Sequence, residues 1–409
     1  MIEPKLRFKA DDGRQFPDWE EKKIGELGTF TKGAPLSKAD ISECGSPLIL
    51  YGELYTTYKE VAYNIQRKTQ AVVDEKYYSC VGDVIIPTSG ESAEDISTAT
   101  CVMTPGVVLG GDLNIFRSNI LDGRIVSYIL NHQAKWKIAA IAQGKSIVHI
   151  QAKQLSNIHV KYPVSKAEQQ KIAEFLSTIA TVIEKQKETV SAWEERKKGV
   201  MQKLFSQEVR FKADDGSDFP EWEDGRLGEL CSYRRGSFPQ PYGAEEWYDE
   251  ENGKPFIQVA DVGDNMKLLP DTKRHISKAA MPMSVFVDAG TLIVTLQGSI
   301  GRIAITDYDA YIDRTLLIIQ NIDSRLKKEF LQYALFVLFA DEKKRADGGT
   351  IKTITKETLT NFTFKFPCLA EQQKIADCLS SLNEVIEKQK AILAAWEELK
   401  KSLLQQMFV

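Results

Sequence analysis

The triplet Gly144-Lys145-Ser146 suggests chemistry, because a glycine turn followed by lysine and a hydroxyl closes the loops that cradle nucleotide phosphates. Such a loop also needs a glycine five residues earlier, where this chain has Ala139, and a strand before it, where this chain reads as helix. No phosphate loop is therefore expected. Asp18 near Glu21 and Lys22 hints at a nuclease carboxylate cluster, but the spacing is too tight for a metal site shared by two strands. The matching stretch further on, Glu221 then Asp224-Gly225, lacks the lysine, so both read as surface turns. His132, His149, His159 and His275 show neither metal-ligand spacing nor a serine–histidine–aspartate arrangement. Six scattered cysteines form no CxxC pair, which argues against a zinc site or a disulfide framework. An Asn/Asp-Pro-Pro-Tyr/Phe motif for holding a flipped base is missing, as is a glycine-rich cofactor loop after a strand. The chain reads as non-enzymatic, with no catalytic, cofactor-binding or metal residue of its own.

What the sequence does carry is a repeat. RFKADDGRQFPDWEEKKIGEL from Arg7 returns as RFKADDGSDFPEWEDGRLGEL from Arg210, 203 residues later. EQQKIAEFLSTIATVIEKQK from Glu168 returns as EQQKIADCLSSLNEVIEKQK from Glu371, at the same offset. Two blocks in one register mean a duplicated unit. Between them, residues 31–143 and 234–347 share little identity. Frames that stay alike around unlike interiors suggest one scaffold serving two ligands.

The EQQKIA blocks open long helices. Ile172, Ile179, Gln186, Trp193 and Val200 recur every seven residues, as do Ile375, Leu382, Gln389, Trp396 and Leu403. Phe175, Val182 and Leu204 are expected on the first stripe. The other positions are rich in Glu, Lys, Gln and Ala, which favour helix. A seven-residue apolar repeat calls for a partner helix in a left-handed coiled coil. The copies are the obvious partners for each other, with pairing between chains as the alternative. About an approximate two-fold axis they would run antiparallel, each roughly 55 Å long. Gln186 and Gln389, at seam positions, would set the register.

The interiors read as strand-rich, with strands at Asp83–Ile86, Val107–Leu109, Leu113–Phe116, Thr291–Thr295, Ile303–Ile305 and Leu316–Ile319. Short helices are expected at Tyr128–Ala142 and Leu326–Phe339. The expected class is α+β: two mixed, strand-rich globular domains separated by an antiparallel two-helix coiled coil, with internal pseudo-two-fold symmetry. The boundaries read as residues 1–163, 164–206, 207–367 and 368–409. The chain lacks an apolar run that could span a bilayer, and its start lacks a signal-peptide stretch. Together with the cysteine pattern this points to the cytoplasm.

These frames resemble the specificity subunits of type I restriction-modification systems. The resemblance rests on the near-identical EQQKIA…IEKQK…WEExKK helices, each following a divergent domain that opens RFKADDGxxFPxWE. Thr88–Ile96 and Thr295–Arg302 resemble recognition segments of two subtypes. The resemblance implies a chain that binds double-stranded DNA, each target recognition domain reading half of a split site in the major groove. It implies methyltransferase subunits, two of them, docked on the helices and using S-adenosylmethionine. It further implies restriction subunits using ATP and Mg. A formal net charge of −4 is unusual for a lone DNA binder; the resemblance accounts for it if partner subunits supply many phosphate contacts. The rival reading is a coiled-coil adaptor whose domains bind proteins, which predicts no salt-dependent DNA binding.

If the domains read DNA, side chains able to meet base edges are the candidates. In the first domain they are Lys32, Arg67, Lys68, Ser89, Gly90, Glu91, Lys145, Ser146 and His149. In the second they are Arg234, Arg235, Ser237, Gln258, Gln297, Gly298, Ser299, Arg302 and Lys352. Tyr51 and Tyr242 are candidates for packing on sugars or base methyls. Each has a plain structural alternative: Ser92-Ala93-Glu94-Asp95 has the form of a helix cap, and Arg67-Lys68 of a solvated hairpin tip.

Overall fold

The computed structural model describes residues 4–144, 147–345 and 359–408. It resolves into two units, Met1–Glu188 with Ala391–Val409, and Thr189–Lys390.

The strands of the first unit are β1 (Glu20–Lys23), β2 (Thr29–Lys32), β3 (Ser46–Ile49), β4 (Val61–Ala62), β5 (Arg67–Thr69), β6 (Asp83–Pro87), β7 (Ser89–Gly90), β8 (Thr100–Val102), β9 (Val108–Leu109), β10 (Leu113–Arg117), β11 (Val148–His149) and β12 (His159–Tyr162). They form sheets ordered β2-β10-β6-β8-β4 and β5-β3-β9, with small pairs β1-β12 and β11-β7. β6 is buried along its whole length: its apolar Val84-Ile85-Ile86 run is covered, and the Asp83 carboxylate at its start pairs with Arg117 at 2.6 Å. The expected helix over Tyr128–Ala142 is in fact two, Gly123–Asn131 and Lys135–Ile141. Asp122 caps the first by accepting from the Arg124 N–H at 2.9 Å. The backbone turns at the break, where the Ala134 N–H donates to the Ile129 carbonyl at 2.9 Å, while Asn131 accepts from the Ala99 N–H at 3.0 Å and Gln133 from the Lys161 N–H at 2.8 Å.

The second unit carries β13 (Glu223–Arg226), β14 (Ser232–Arg235), β15 (Lys254–Ile257), β16 (His275–Ile276), β17 (Val285–Val287), β18 (Leu292–Thr295), β19 (Ile303–Ile305), β20 (Ala310–Ile312), β21 (Leu316–Gln320) and β22 (Thr363–Phe366). Its sheets run β14-β21-β18-β19 and β16-β15-β20-β17, with the pair β13-β22. The helix expected at Leu326–Phe339 spans Lys328–Arg345.

The unlike interiors share one frame. Lys32 faces Asn114 and Arg235 faces Leu317, the same antiparallel register at the repeat offset. Parallel pairs join Ile49 to Leu109 and Ile257 to Ile312. Gly33 and Gly236 occupy the same close approach: a Cβ on Gly33 would lie 2.9 Å from the Leu109 carbonyl oxygen, and one on Gly236 would lie 2.2 Å from that of Ile312. The backbone framework is therefore kept where side chains have changed.

The long helices span Lys166–Phe205 and Leu369–Phe408. In the first unit Ile172 and Leu176 share a core with Leu404, Met407 and Phe408, while Lys187 reaches Glu397 at 3.7 Å. Advancing along one helix retreats along the other, so they run antiparallel. In the second unit Met201 and Leu204 share a core with Ile375 and Leu379, and Glu194 pairs with Lys390 at 2.8 Å. Each unit thus holds the opening of one helix against the close of the other. Phe408 packs on Tyr128, centroids 5.7 Å apart, and Phe205 on Phe330 at 5.5 Å.

Candidate nucleic-acid interface

Strand pairing brings five strand ends of the second unit together. Arg235 closes β14 and Thr295 closes β18, both beside the opening of β21 at Leu316. Ile257 and Ile312 close the parallel β15 and β20 at the same edge, since Gly236 abuts the carbonyl oxygens of Ile312 and Asp313. Candidate residues leave the fold here. Arg234, Arg235, Gln297, Gly298 and Ser299 are exposed. Gln258 follows β15, donating from Nε2 to the Tyr242 hydroxyl at 2.7 Å. Gly298, at φ +64°, takes a left-handed turn beside Val259. Thr295 ties that loop at its base, donating to the Ser299 carbonyl at 2.5 Å and accepting from the Arg302 N–H at 2.9 Å.

Two candidates of this domain are engaged structurally. Arg302 is half-buried and donates from Nη1 to the Val262 carbonyl at 3.0 Å. Ser237 donates to the Met283 carbonyl at 2.9 Å. Lys352 lies outside the described residues, as do Lys145 and Ser146 of the first domain.

The first unit converges in the same way. Lys32, Ile49, Pro87 and Leu109 end their strands beside Leu113, which opens β10. Lys32 is exposed; desolvation lowers its pKa, with the charge of Asp112 pulling the other way. Ser89 is buried and donates to Asp112 Oδ2 at 3.1 Å, while its carbonyl accepts from Tyr55 at 3.1 Å. His149 faces Ser89 and Val148 faces the buried Gly90 across β11 and β7; His149 and Glu91 are exposed. Ser92 caps the short helix that follows, accepting from the Asp95 N–H at 3.1 Å. Arg67 and Lys68 lie within β5. Lys68 is exposed, but Arg67 pairs at 3.2 Å with Glu53, which is buried. Burial raises the Glu53 pKa, opposed by the Leu50 N–H and Arg67.

Asp112 and Arg314 have no place in the sequence reading. Arg314 is exposed, its guanidinium 4.9 Å from the centre of the Tyr242 ring. The signal was positional: both precede an apolar strand, LNIF or LLII, at the converged edge.

On the helices, Ile172, Ile179 and Ile375 are buried. Gln186, Trp193, Val200, Leu382, Gln389, Trp396 and Leu403 are half-buried. The second seam row is Leu176, Ile183, Val190 and Leu204, with Leu379, Ile386 and Met407 matching it. Phe175, expected on the seam, is 37% exposed and packs edge-on against Phe8 instead. The 4-3 alternation of a heptad selects its neighbour Leu176.

The pattern of the Type I restriction modification DNA specificity domain matches residues 17–190 and again 220–397. The chain is 23% identical over 411 residues to the putative type I restriction enzyme MjaX specificity subunit of Methanocaldococcus jannaschii, covering 97% of this chain and 94% of that one. It is 25% identical over 423 residues to the MjaVIII specificity subunit of the same organism, with the same coverage. Its fold matches the type I restriction-modification S subunit from M. genitalium at a TM-score of 0.63 and 16% identity, covering 100% of this chain and 99% of that one. A second structure, from a study of type I R-M complex assembly and conformational transition, matches at 0.55 and 20% identity, covering 96% and 98%. With the specificity-domain pattern present twice over most of its length, the chain belongs to the type I restriction-modification DNA specificity family.

Proposed function

We propose that this chain is the DNA-sequence-reading subunit of a type I restriction-modification complex. Each domain reads one half of a bipartite target from the major groove. The helices dock methyltransferase subunits, two per chain, and set the distance between the half-sites. Methyl transfer from S-adenosylmethionine, and cleavage with ATP and Mg by restriction subunits, belong in this reading to the partners and not to this chain. The complex would work in the cytoplasm; among the described residues no helix is long and apolar enough to cross a membrane.

The observation carrying this reading is one strand frame with two different sets of polar groups at its converged edge. Lys32, Ser89 and Asp112 stand at that edge in one domain, and Arg235, Gln258 and Arg314 in the other. Unlike donors and acceptors on a like scaffold are what reading two base sequences requires. Methylome sequencing of cells with and without the chain tests it. A split adenine-methylation motif that disappears on deletion is expected, and an unchanged methylome would overturn the reading.

A further inference from the structure

We propose that Arg314, set against the Tyr242 ring, reads a guanine in the half-site of the second domain. This rests on the reading of the chain as a DNA-sequence reader and deepens it at one residue. Three features single out this arginine. Its guanidinium lies over the Tyr242 ring, 4.9 Å from the centroid, a cation–π contact that restrains it at the surface. It is exposed, and among the described residues no carboxylate pairs with it. It stands at the converged strand edge: the Asp313 carbonyl before it abuts Gly236, and the Thr315 carbonyl after it accepts from the Leu296 N–H at 2.9 Å, at the base of the loop carrying Gly298.

The neighbouring acid explains why the arginine stays unpaired. Asp313 is 1% exposed, and its oxygens are taken. Oδ1 accepts from the Thr315 N–H at 2.9 Å and from the Thr315 hydroxyl, and Oδ2 accepts from Tyr242 at 3.0 Å. The phenol proton is therefore committed inward, so the phenol oxygen faces Gln258 as an acceptor, and Gln258 donates to it at 2.7 Å. Tyr242 is locked from both sides while the residue remains 40% exposed. A planar fork on a fixed platform suits the O6 and N7 acceptors of guanine in the major groove.

The other domain sharpens the assignment. At the repeat offset, Asp313-Arg314-Thr315 corresponds to Gly110-Gly111-Asp112. The flanking registers coincide, so this turn occupies one place in the frame and carries a cationic fork in the second domain alone. The half-sites would then differ at the base that this turn meets.

The test is selection from a random duplex pool by the chain together with its methyltransferase partners. Wild type should yield a bipartite motif with a guanine in one half. Arg314→Ala and Tyr242→Ala should each lower the preference for that guanine by about tenfold to a hundredfold, leaving the other positions unchanged. Tyr242→Phe keeps the aromatic face under the guanidinium and should largely retain the preference. Arg314→Lys keeps the charge and should still lose the discrimination. An unchanged motif in Arg314→Ala and Arg314→Lys would overturn the proposal, as would a uniform loss at every position, the mark of a phosphate contact. A wild-type complex selecting no bipartite motif would instead overturn the recognition reading itself, and this assignment with it.

Discussion

The guanidinium of Arg7 meets the carboxylate of Glu168 at 3.0 Å, joining the opening motif of the first copy to the start of its long helix. Arg210 and Glu371 repeat the pair at 2.8 Å. Lys171 and Lys374 repeat a second tie, donating to the carbonyls of Lys9 and Lys212 at 2.9 and 2.7 Å. The RFKADDG and EQQKIA blocks have thus stayed alike because they bind each other. Glu168 is fully buried and also accepts from Trp19 at 3.2 Å. Glu168→Ala should strand a part-buried cation and destabilise the first unit by about 3 kcal/mol. Glu371→Ala should act similarly on the second. Denaturant unfolding measures both, and a loss under about 0.5 kcal/mol, as for a surface site, would contradict the buried-tie account.

Glu60 lies 2.9 Å from Lys400 and 3.6 Å from His132. Burial pushes its carboxyl up, but the pull of His132 and Lys400 outweighs that and holds it well below the usual carboxylate range. A carboxyl more acidic in the folded chain stabilises above the unfolded value, about 4.3, and that contribution fades as pH falls through the lower folded value. Wild type should exceed Glu60→Gln by about 2 kcal/mol at pH 7, with the gap narrowing below about pH 4. Urea unfolding of both proteins from pH 7 to 3 follows it. A constant gap would mean that packing, not the ion network, causes the difference.

Local signals carried much of this structure. The apolar runs DVII, LNIF and LLII are strands because each is short, β-rich and bounded by turns, and Ser92 caps a helix as its SAED pattern suggests. The heptads fix the seam to within a residue, and the two slips, Phe175 for Leu176 and Val182 for Ile183, came from choosing between apolar neighbours. What distant contacts decide stayed hidden. The turn after Asn131 is tied to backbone groups of Ala99 and Lys161, far away in the chain. Arg314 gains meaning only from Tyr242, brought beside it by the fold. Arg67, a candidate for a base contact or a solvated hairpin tip in the sequence, is paired with the buried Glu53 only by the fold.

Exchanging residues 31–143 for the interior of another family member should change one half of the target and leave the other intact. The reason is the shared register at Lys32 and Arg235, where one strand frame carries two unlike sets of side chains. Methylation sequencing of the chimera reads the result. An unaltered motif, or one altered in both halves, would refute the assignment of one half-site to each domain.

The antiparallel seam makes a quantitative prediction about spacing. Gln186 and Gln389 hold equivalent, half-buried positions near the middle of their helices. Inserting one heptad after each keeps the seam in phase, because seven residues restore the a and d rows. Each helix then lengthens by about 10 Å at 1.5 Å per residue. Along B-form DNA that corresponds to about three base pairs at 3.4 Å each. The gap in the methylated motif should widen by that amount, with both half-sites unchanged. Insertion in one helix alone leaves seven residues without seam partners and should destabilise the pair. A gap that stays constant in a folded double-insertion variant would show that the helices do not set the spacing.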